Sequence, residues 1–377
     1  MDSVRLRVAV AVAATTVVGA GAAALVAGRY VSGLALKPSV AGPPPESLIA
    51  VREADGDRVV LTRTTAAARH GVYGLTGVGV HATVGPVLEQ DPYSVTRALR
   101  RVQQGALRKG DFVRMTPQAY CGDPGSAFGL DYSDVEVPGE LGPLPAWYLP
   151  GDRSTWVITV HGLGATREHA LNAVPVLHRF RFQQLVLGYR NDPGAPASPD
   201  GLDHLGDTEW QDLDAAMRFA ADHGARRIVL YGWSTGATMA LWALARSAVR
   251  DRVGGLVLDS PVLDWRSLVQ AAVTTRGLPA ALRPLAVRAA EGRAGLAAAR
   301  HPEAATAAVP PDPTVPTLVV HGPDDAFADW QDSRALADRH PELIAFHPVP
   351  DAPHAAMWNA DPKGYEEALR RFLTPLM

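Results

Sequence analysis

Residues Gly232-Trp233-Ser234-Thr235-Gly236 constrain this chain more than any other stretch. They lie between an apolar run, Arg227-Ile228-Val229-Leu230-Tyr231, and a helix-compatible run from Ala237 to Val249. A strand that ends in Gly-x-Ser-x-Gly and continues as a helix must turn so sharply that the serine occupies a strained backbone region. Small residues on either side keep the neighbouring backbone from colliding there. The serine hydroxyl then stands clear of the sheet, with a helix N-terminus behind it to favour negative charge. With 35 glycines in the chain, chance alone supplies roughly 0.1 such matches. The meaning of the motif therefore depends on its surroundings.

Those surroundings alternate strand and helix from about residue 131 onward. Asp134–Val137 and Ala146–Leu149 read as an opening hairpin, and Thr155–Val160 as a buried strand. A helix over Glu168–Arg181 and a strand over Gln184–Tyr189 follow. A polar loop, Arg190–Asp207, leads to a helix over Thr208–His223, where Thr208 and Gln211 have capping-box spacing. After the Arg227–Tyr231 strand, the helix beyond Ser234 is apolar nearly all round, as a buried helix is. Leu256–Leu258, Thr317–Val320 and Phe346–Val349 complete the strands. Repeated βα units predict an α/β fold with a mostly parallel sheet and helices on both faces. Ligands bind such sheets at the carboxyl ends of the strands. Between Trp265 and Pro313 the rhythm breaks in an Ala-rich stretch that is too long for one crossover. It predicts a helical lid at about 265–313.

The first 130 residues read differently. Val8–Ala27 carries no charge and follows Arg5 and Arg7; as a helix it spans about 30 Å, one hydrocarbon core. This predicts a signal anchor within residues 1–30, with the remainder of the chain outside the cytoplasm, or secreted if the segment is cleaved. Residues 31–130 form an accessory β-rich segment behind a Pro43-Pro44-Pro45 linker. Its strands are expected at Arg58–Thr62, Gly71–Val84 and Phe112–Thr116, and a helix at Ser94–Gln104. His70 and His81 have no carboxylate pattern nearby and read as surface or packing residues. Cys121 is the sole cysteine, which excludes an intrachain disulfide. A net charge of −3 gives no reason to expect nucleic acid. No residues have metal-ligand or dinucleotide-binding spacing, so no metal or cofactor is expected.

Three polar clusters follow strands in the main domain. His161-Gly162-Leu163-Gly164 follows Val160. Acyl transfer needs two donors for the developing oxyanion, and loss of one costs about 10²–10³ in rate. The backbone amides of Leu163 and Thr235 are assigned that role, and His161 a structural one. His321-Gly322-Pro323-Asp324-Asp325 follows Val320 and supplies an acid, although Pro-Asp-Asp also suits a turn. His354, in the loop after the last strand, is the expected general base. It would take the proton of Ser234 while a carboxylate holds its tautomer. The chain order Ser234, Asp325, His354 is that of a known triad. Asp259, at a strand end near the elbow, is the alternative acid, or otherwise a supporting or capping residue. Tyr189, Arg190, Asp192, His204 and Asp207 either bind a polar substrate group or hydrogen-bond their own loop.

On these pieces, residues 131–377 resemble the α/β-hydrolase superfamily, nearest the Bem46-like and prolyl-oligopeptidase-like serine hydrolases. In that family the acid stands three residues after the glycine of the His-Gly pair, which selects Asp325 over Asp324. Ala237 stands where many members carry a further glycine, and Pro353 where glycine often precedes the histidine. The first 130 residues are not covered. The resemblance implies a serine hydrolase that cleaves carboxylic esters, including lipid or acyl esters, through an acyl-enzyme on Ser234. A peptidase or acyltransferase on the same fold is the alternative. A non-catalytic envelope binding or scaffold module is the alternative of another class.

Overall fold

Short strands with alternating burial fill the chain between residues 49 and 116 in the computed structural model, which describes residues 33, 36, 37, 48–275, 277–294 and 309–377. They are β1 (Ile49–Asp55), β2 (Arg58–Thr62), β3 (Tyr73–Gly77), β4 (Val80–Gln90), β5 (Ser94–Gln104) and β6 (Phe112–Thr116). All pair antiparallel and close into a barrel in the order β1-β2-β5-β4-β3-β6. Val51, Leu61, Leu75, Val84, Val95 and Val113 belong to its core.

The helix expected at Ser94–Gln104 is instead the strand β5. Val95 and Leu99 are four residues apart, so they fit one helix face and also one strand face. Pairing decides between these, because β5 bonds to β2 on one side and β4 on the other. The strand register also buries Arg97 completely. Its guanidinium has no carboxylate partner among the described residues. It donates to the carbonyls of Gly85 at 3.0 Å, Ala67 at 2.9 Å, Arg69 at 2.5 Å and Gly71 at 2.9 Å. Burial lowers its pKa to about 10, so it remains charged at neutral pH. A buried cation survives only when its donors are satisfied. Here that requirement fixes the conformation of residues 67–71.

From residue 133 the chain builds an eight-stranded sheet. Its strands are β7 (Ser133–Gly139), β8 (Gly142–Leu149), β9 (Thr155–Val160), β10 (Gln183–Leu187), β11 (Arg227–Trp233), β12 (Val253–Asp259), β13 (Thr317–His321) and β14 (Ile344–Pro348). Their order is β14-β13-β12-β11-β9-β10-β8-β7. The β7–β8 and β8–β10 pairs are antiparallel and all others parallel. Every residue of β9 is buried, as a strand covered on both faces requires. Two apolar cores line the sheet. One holds Ile158, Leu230 and Leu258; the other holds Val157, Val229 and Val257. This odd–even division follows from strand alternation.

Two helix expectations are corrected. The Glu168–Arg181 segment is a 3₁₀ turn, Arg167–Asn172, followed by a short helix, Val174–Arg179. Pro175 has no amide to donate, so one continuous helix cannot run through it. The Thr208–Gln211 capping box does not form: the helix is Trp210–Asp222 and the Thr208 hydroxyl has no partner among the described residues. The Glu209 carboxylate instead accepts from the amides of His204 at 2.5 Å and Gly206 at 2.9 Å. Donors of the preceding loop thus capture the acid at the helix start.

The barrel and the sheet belong to one compact unit, and hydrogen bonds stitch them together. Val72 N donates to Asn359 O at 2.8 Å, and Asn359 Nδ2 donates to the carbonyls of Val72 and Pro117, both at 2.8 Å. The Glu168 carboxylate accepts from Gln118 Nε2 at 2.5 Å and from the Gly122 amide at 2.8 Å.

The described residues of 1–37 and 264–309 form a second unit. Its helices Trp265–Thr274 and Arg283–Ala294 pack on each other and are linked by Arg266 and Glu291 at 3.5 Å. Of the stretch expected to be a lid, 276 and 295–308 lie outside the described residues. So does the 8–27 run expected to be a membrane segment. Among the described residues no helix is long and apolar enough to cross a membrane.

Candidate active site

Strand β11 runs directly into the helix Thr235–Arg246, and Ser234 takes the turn between them with φ 54° and ψ −119°. A non-glycine residue at positive φ is strained, and the surrounding packing must hold it. One such hold is the Ser234 amide, which donates to Asp259 O at 2.9 Å. Two glycines make the approach possible. A Cβ on Gly236 would stand 2.4 Å from Val160 O, and one on Gly162 would stand 2.5 Å from the Ser234 Cβ.

The loops after β13 and β14 bring the other two side chains to this hydroxyl. His354 Nε2 lies 2.7 Å from Ser234 Oγ, and His354 Nδ1 lies 2.7 Å from Asp325 Oδ2. An ionised carboxylate only accepts, so Nδ1 carries the proton and Nε2 is left to accept from the serine. Asp325 is saturated with donors. His321 Nε2 reaches the same Oδ2 at 3.0 Å, and the amides of Phe327 and Ala328 donate to Oδ1 at 2.8 and 2.9 Å. Burial alone would raise the Asp325 pKa. The nearby His354 charge and the hydrogen bonds from His321 and His354 override it and hold the carboxyl well below the usual range. Asp324 turns elsewhere and accepts the Asp351 amide at 2.8 Å.

Asp259 makes no hydrogen bond to His354 among the described residues. It anchors the loop that carries the histidine. Ser260 Oγ donates to Asp259 Oδ1 at 2.8 Å and accepts the Ala355 amide at 3.0 Å. Tyr365 donates to Asp259 Oδ2 at 2.9 Å and is itself hydrogen-bonded to the Tyr231 hydroxyl. His169 Nε2 meets Ala355 O at 3.1 Å. Burial lowers the His169 pKa to about 3, so the ring is neutral and donates that bond. Ala355 itself has φ 55°, and Ser260 has φ 49°. Two buried chains of hydrogen bonds therefore hold a strained residue directly after His354. Of these supports, Asp259 carried a sequence signal, as a polar residue at a strand end. His169, Tyr231 and Tyr365 carried none, because only the fold brings them together.

The two amides assigned to the oxyanion differ. Thr235 begins its helix, so its amide has no acceptor within that helix. The Leu163 amide already donates to Thr235 Oγ1 at 2.9 Å. Beside it lies a cavity of about 330 Å³ bordered by Leu163, Thr166, Tyr189, Asp192 and Asp203. The polar loop behind this cavity is bonded to itself and to the elements beside it. Arg190 forms a buried two-pronged pair with Asp212 at 2.8 and 2.7 Å. Asp192 holds His161 Nε2 at 2.7 Å, and His204 Nε2 meets Asp200 at 3.1 Å. His161 is fully buried: burial works to lower its pKa, Asp192 works to raise it, and the net shift is upward.

A family model described as the prolyl oligopeptidase family matches residues 199–372, which contain Ser234, Asp325 and His354. A model described as a domain of unknown function (DUF8805) matches residues 50–116, the barrel. No curated protein matches the chain. Among solved structures, the Pyrococcus furiosus esterase Pf2001 is similar in two crystal forms. Identities are 20% and 19%, both TM-scores are 0.52, and the matches cover 68% of this chain and 94% and 96% of those chains. The carboxylesterase EstE1, cloned from a metagenomic library, matches at 18% identity and TM-score 0.49, over 66% of this chain and 90% of that one. With the parallel sheet, the elbow and the Ser-His-Asp chain in place, this protein has the α/β-hydrolase fold, and its residues 199–372 match the prolyl oligopeptidase family.

Proposed function

We propose that this protein is an esterase that hydrolyses carboxylic esters through an acyl-enzyme on Ser234. The observation that carries the reading is the hydrogen-bonded chain Ser234–His354–Asp325, with both links at 2.7 Å. Ser234 Oγ attacks the ester carbonyl carbon while His354 Nε2 takes its proton. Asp325 stabilises the imidazolium. Collapse of the tetrahedral intermediate breaks the C–O bond, and His354 returns the proton to the departing alcohol. Water then repeats the sequence on the acyl-enzyme, releasing the acid and free Ser234. The amides of Thr235 and Leu163 receive the oxyanion. For Leu163 this means exchanging Thr235 Oγ1 for the substrate oxygen, a one-for-one replacement of acceptors.

The small cavity beside Leu163, bordered by Asp192 and Asp203, favours short polar groups at that position. Similarity to the esterase Pf2001 supports an ester as substrate. The peptidase reading is kept for one observation, the prolyl oligopeptidase model over residues 199–372. Labelling with a fluorophosphonate tests the nucleophile: the parent protein labels, and Ser234→Ala and His354→Ala do not. An unlabelled parent overturns the reading, and labelling that survives Ser234→Ala moves the nucleophile elsewhere. A panel of p-nitrophenyl esters of increasing chain length and aminoacyl anilides then separates short-chain esterase, lipase and peptidase. The uncharged run at 8–27 further supports a membrane-anchored enzyme with its catalytic domain outside the cytoplasm. A reporter fused after Met377 that is active only in the cytoplasm would contradict that placement.

A further inference from the structure

A cavity of about 880 Å³ lies where the barrel meets the catalytic loops. Arg63, Arg69 and His70 line it from the barrel, and Asp324, Asp351 and Pro353 from the loops after β13 and β14. Asp324 and Pro353 are the immediate chain neighbours of Asp325 and His354. We infer that this cavity is a receptor for an anionic group, a carboxylate or a phosphate, and that the barrel thereby selects substrates bearing one. The selectivity clause rests on the esterase reading above; the binding clause does not.

Charge and its availability carry the first half of the inference. Among the described residues, the side chains of Arg69 and His70 make no hydrogen bond or ion pair. Arg63 commits one N–H to Asp91 O at 2.9 Å and keeps the rest of its guanidinium. The positive charge is confined to the barrel wall, because the opposite wall carries two carboxylates, Asp351 and Asp324, the latter accepting the Asp351 amide at 2.8 Å. A guanidinium offers planar paired donors that match carboxylate and phosphate oxygens. Buried Arg97 stands behind the same loop without an acid partner and adds to the positive potential.

Preorganisation carries the second half. Arg97 grips the carbonyls of Ala67, Arg69 and Gly71, so the backbone that presents Arg69 and His70 is held from within the barrel. The next residue, Val72, is bonded to Asn359 on the hydrolase side, and a Cβ on Gly71 would stand 1.9 Å from Asn359 O. The loop therefore docks in one position, five residues from His354 on the partner segment. A receptor whose donors are fixed before binding loses less on ordering its ligand.

The test compares two esters, p-nitrophenyl acetate and mono-p-nitrophenyl succinate, on the full chain and on Arg69→Gln and His70→Gln. The ratio of kcat/KM for the anionic over the neutral ester should fall about tenfold to a hundredfold in Arg69→Gln, and less in His70→Gln. In the parent the ratio should also fall with added salt, and in Arg69→Gln, which leaves only Arg63, it should fall less steeply. An unchanged ratio in both variants overturns the selectivity clause. Calorimetry on Ser234→Ala reads binding without catalysis, using succinate and inorganic phosphate as separate probes. Saturable binding of either that Arg69→Gln abolishes supports the receptor, and the probe that binds names its chemistry. Absence of binding by both probes overturns it, even where the esterase reading stands. Binding with no hydrolysis of either ester would leave the receptor and remove the esterase.

Discussion

Asp259 ends β12 and Asp325 lies in the loop after the adjacent strand β13, and the pKa values of these two buried carboxylates are shifted in opposite directions. The Asp325 side chain and Asp259 are both fully out of solvent. Depth is therefore not what separates them; their partners are. Asp325 meets two imidazoles and two amides, and its pKa is depressed. Asp259 meets two neutral hydroxyls, from Ser260 and Tyr365, and burial raises its pKa to about 7 despite them. A carboxylate that must stabilise a transient imidazolium has to stay ionised through the catalytic cycle. One that only anchors a loop does not.

The largest expected effect comes from removing the charge that the comparison calls essential. Asp325→Asn keeps the shape but replaces an acceptor-only group with an amide that can donate to His354 Nδ1. His354 would then carry its proton on the wrong nitrogen, and kcat should drop by about 10⁴ with a small change in KM. Steady-state kinetics on the best ester of the panel checks this. A loss below tenfold would mean that Asp325 does not orient the base and that the two carboxylates are not functionally distinct.

Much of this site was legible in the sequence because it is built from short-range signals at strand ends. Ser234 between a strand and a buried helix, His-Gly before Asp325, and His354 after the last strand could each be read locally. The choice between Asp324 and Asp325 needed family spacing; the structure separates them through the Asp351 amide. What could not be read depends on pairing across long separations. The β5 segment shares its apolar spacing with a helix, and only β2 and β4 make it a strand. Arg97 gave no sign of complete burial, since its four acceptors are backbone carbonyls that no residue letter reports. The Asp259–Tyr365 contact spans 106 positions, and the engagement of Leu163 N by Thr235 Oγ1 spans 72. His70, read as surface or packing, is exposed but lines the cavity beside the catalytic loops.

The smallest catalytic effect, and the sharpest test of the comparison, belongs to Asp259→Asn. If Asp259 acts as a neutral anchor, an amide of nearly the same shape should cost less than about tenfold in kcat, far from the loss at Asp325. Its signature should appear in stability. The unfolded chain releases the Asp259 proton near pH 4, whereas the folded protein releases it at about 7. Between those values the folded state binds the extra proton, so this group's contribution is fully present below about pH 4. It declines as pH rises to about 7 and is level above that. The full decline is on the order of 4 kcal/mol if the carboxyl stays dry throughout. His169 acts in the opposite sense within the same window, because its folded pKa of about 3 lies below its unfolded value. The parent curve alone therefore mixes the two groups, and the informative quantity is parent minus Asp259→Asn. Urea unfolding at a series of pH values from 4 to 8 should show that difference moving steadily against the parent until about pH 7. Parallel curves would mean that Asp259 ionises as easily folded as unfolded, and the contrast with Asp325 would lose its electrostatic basis.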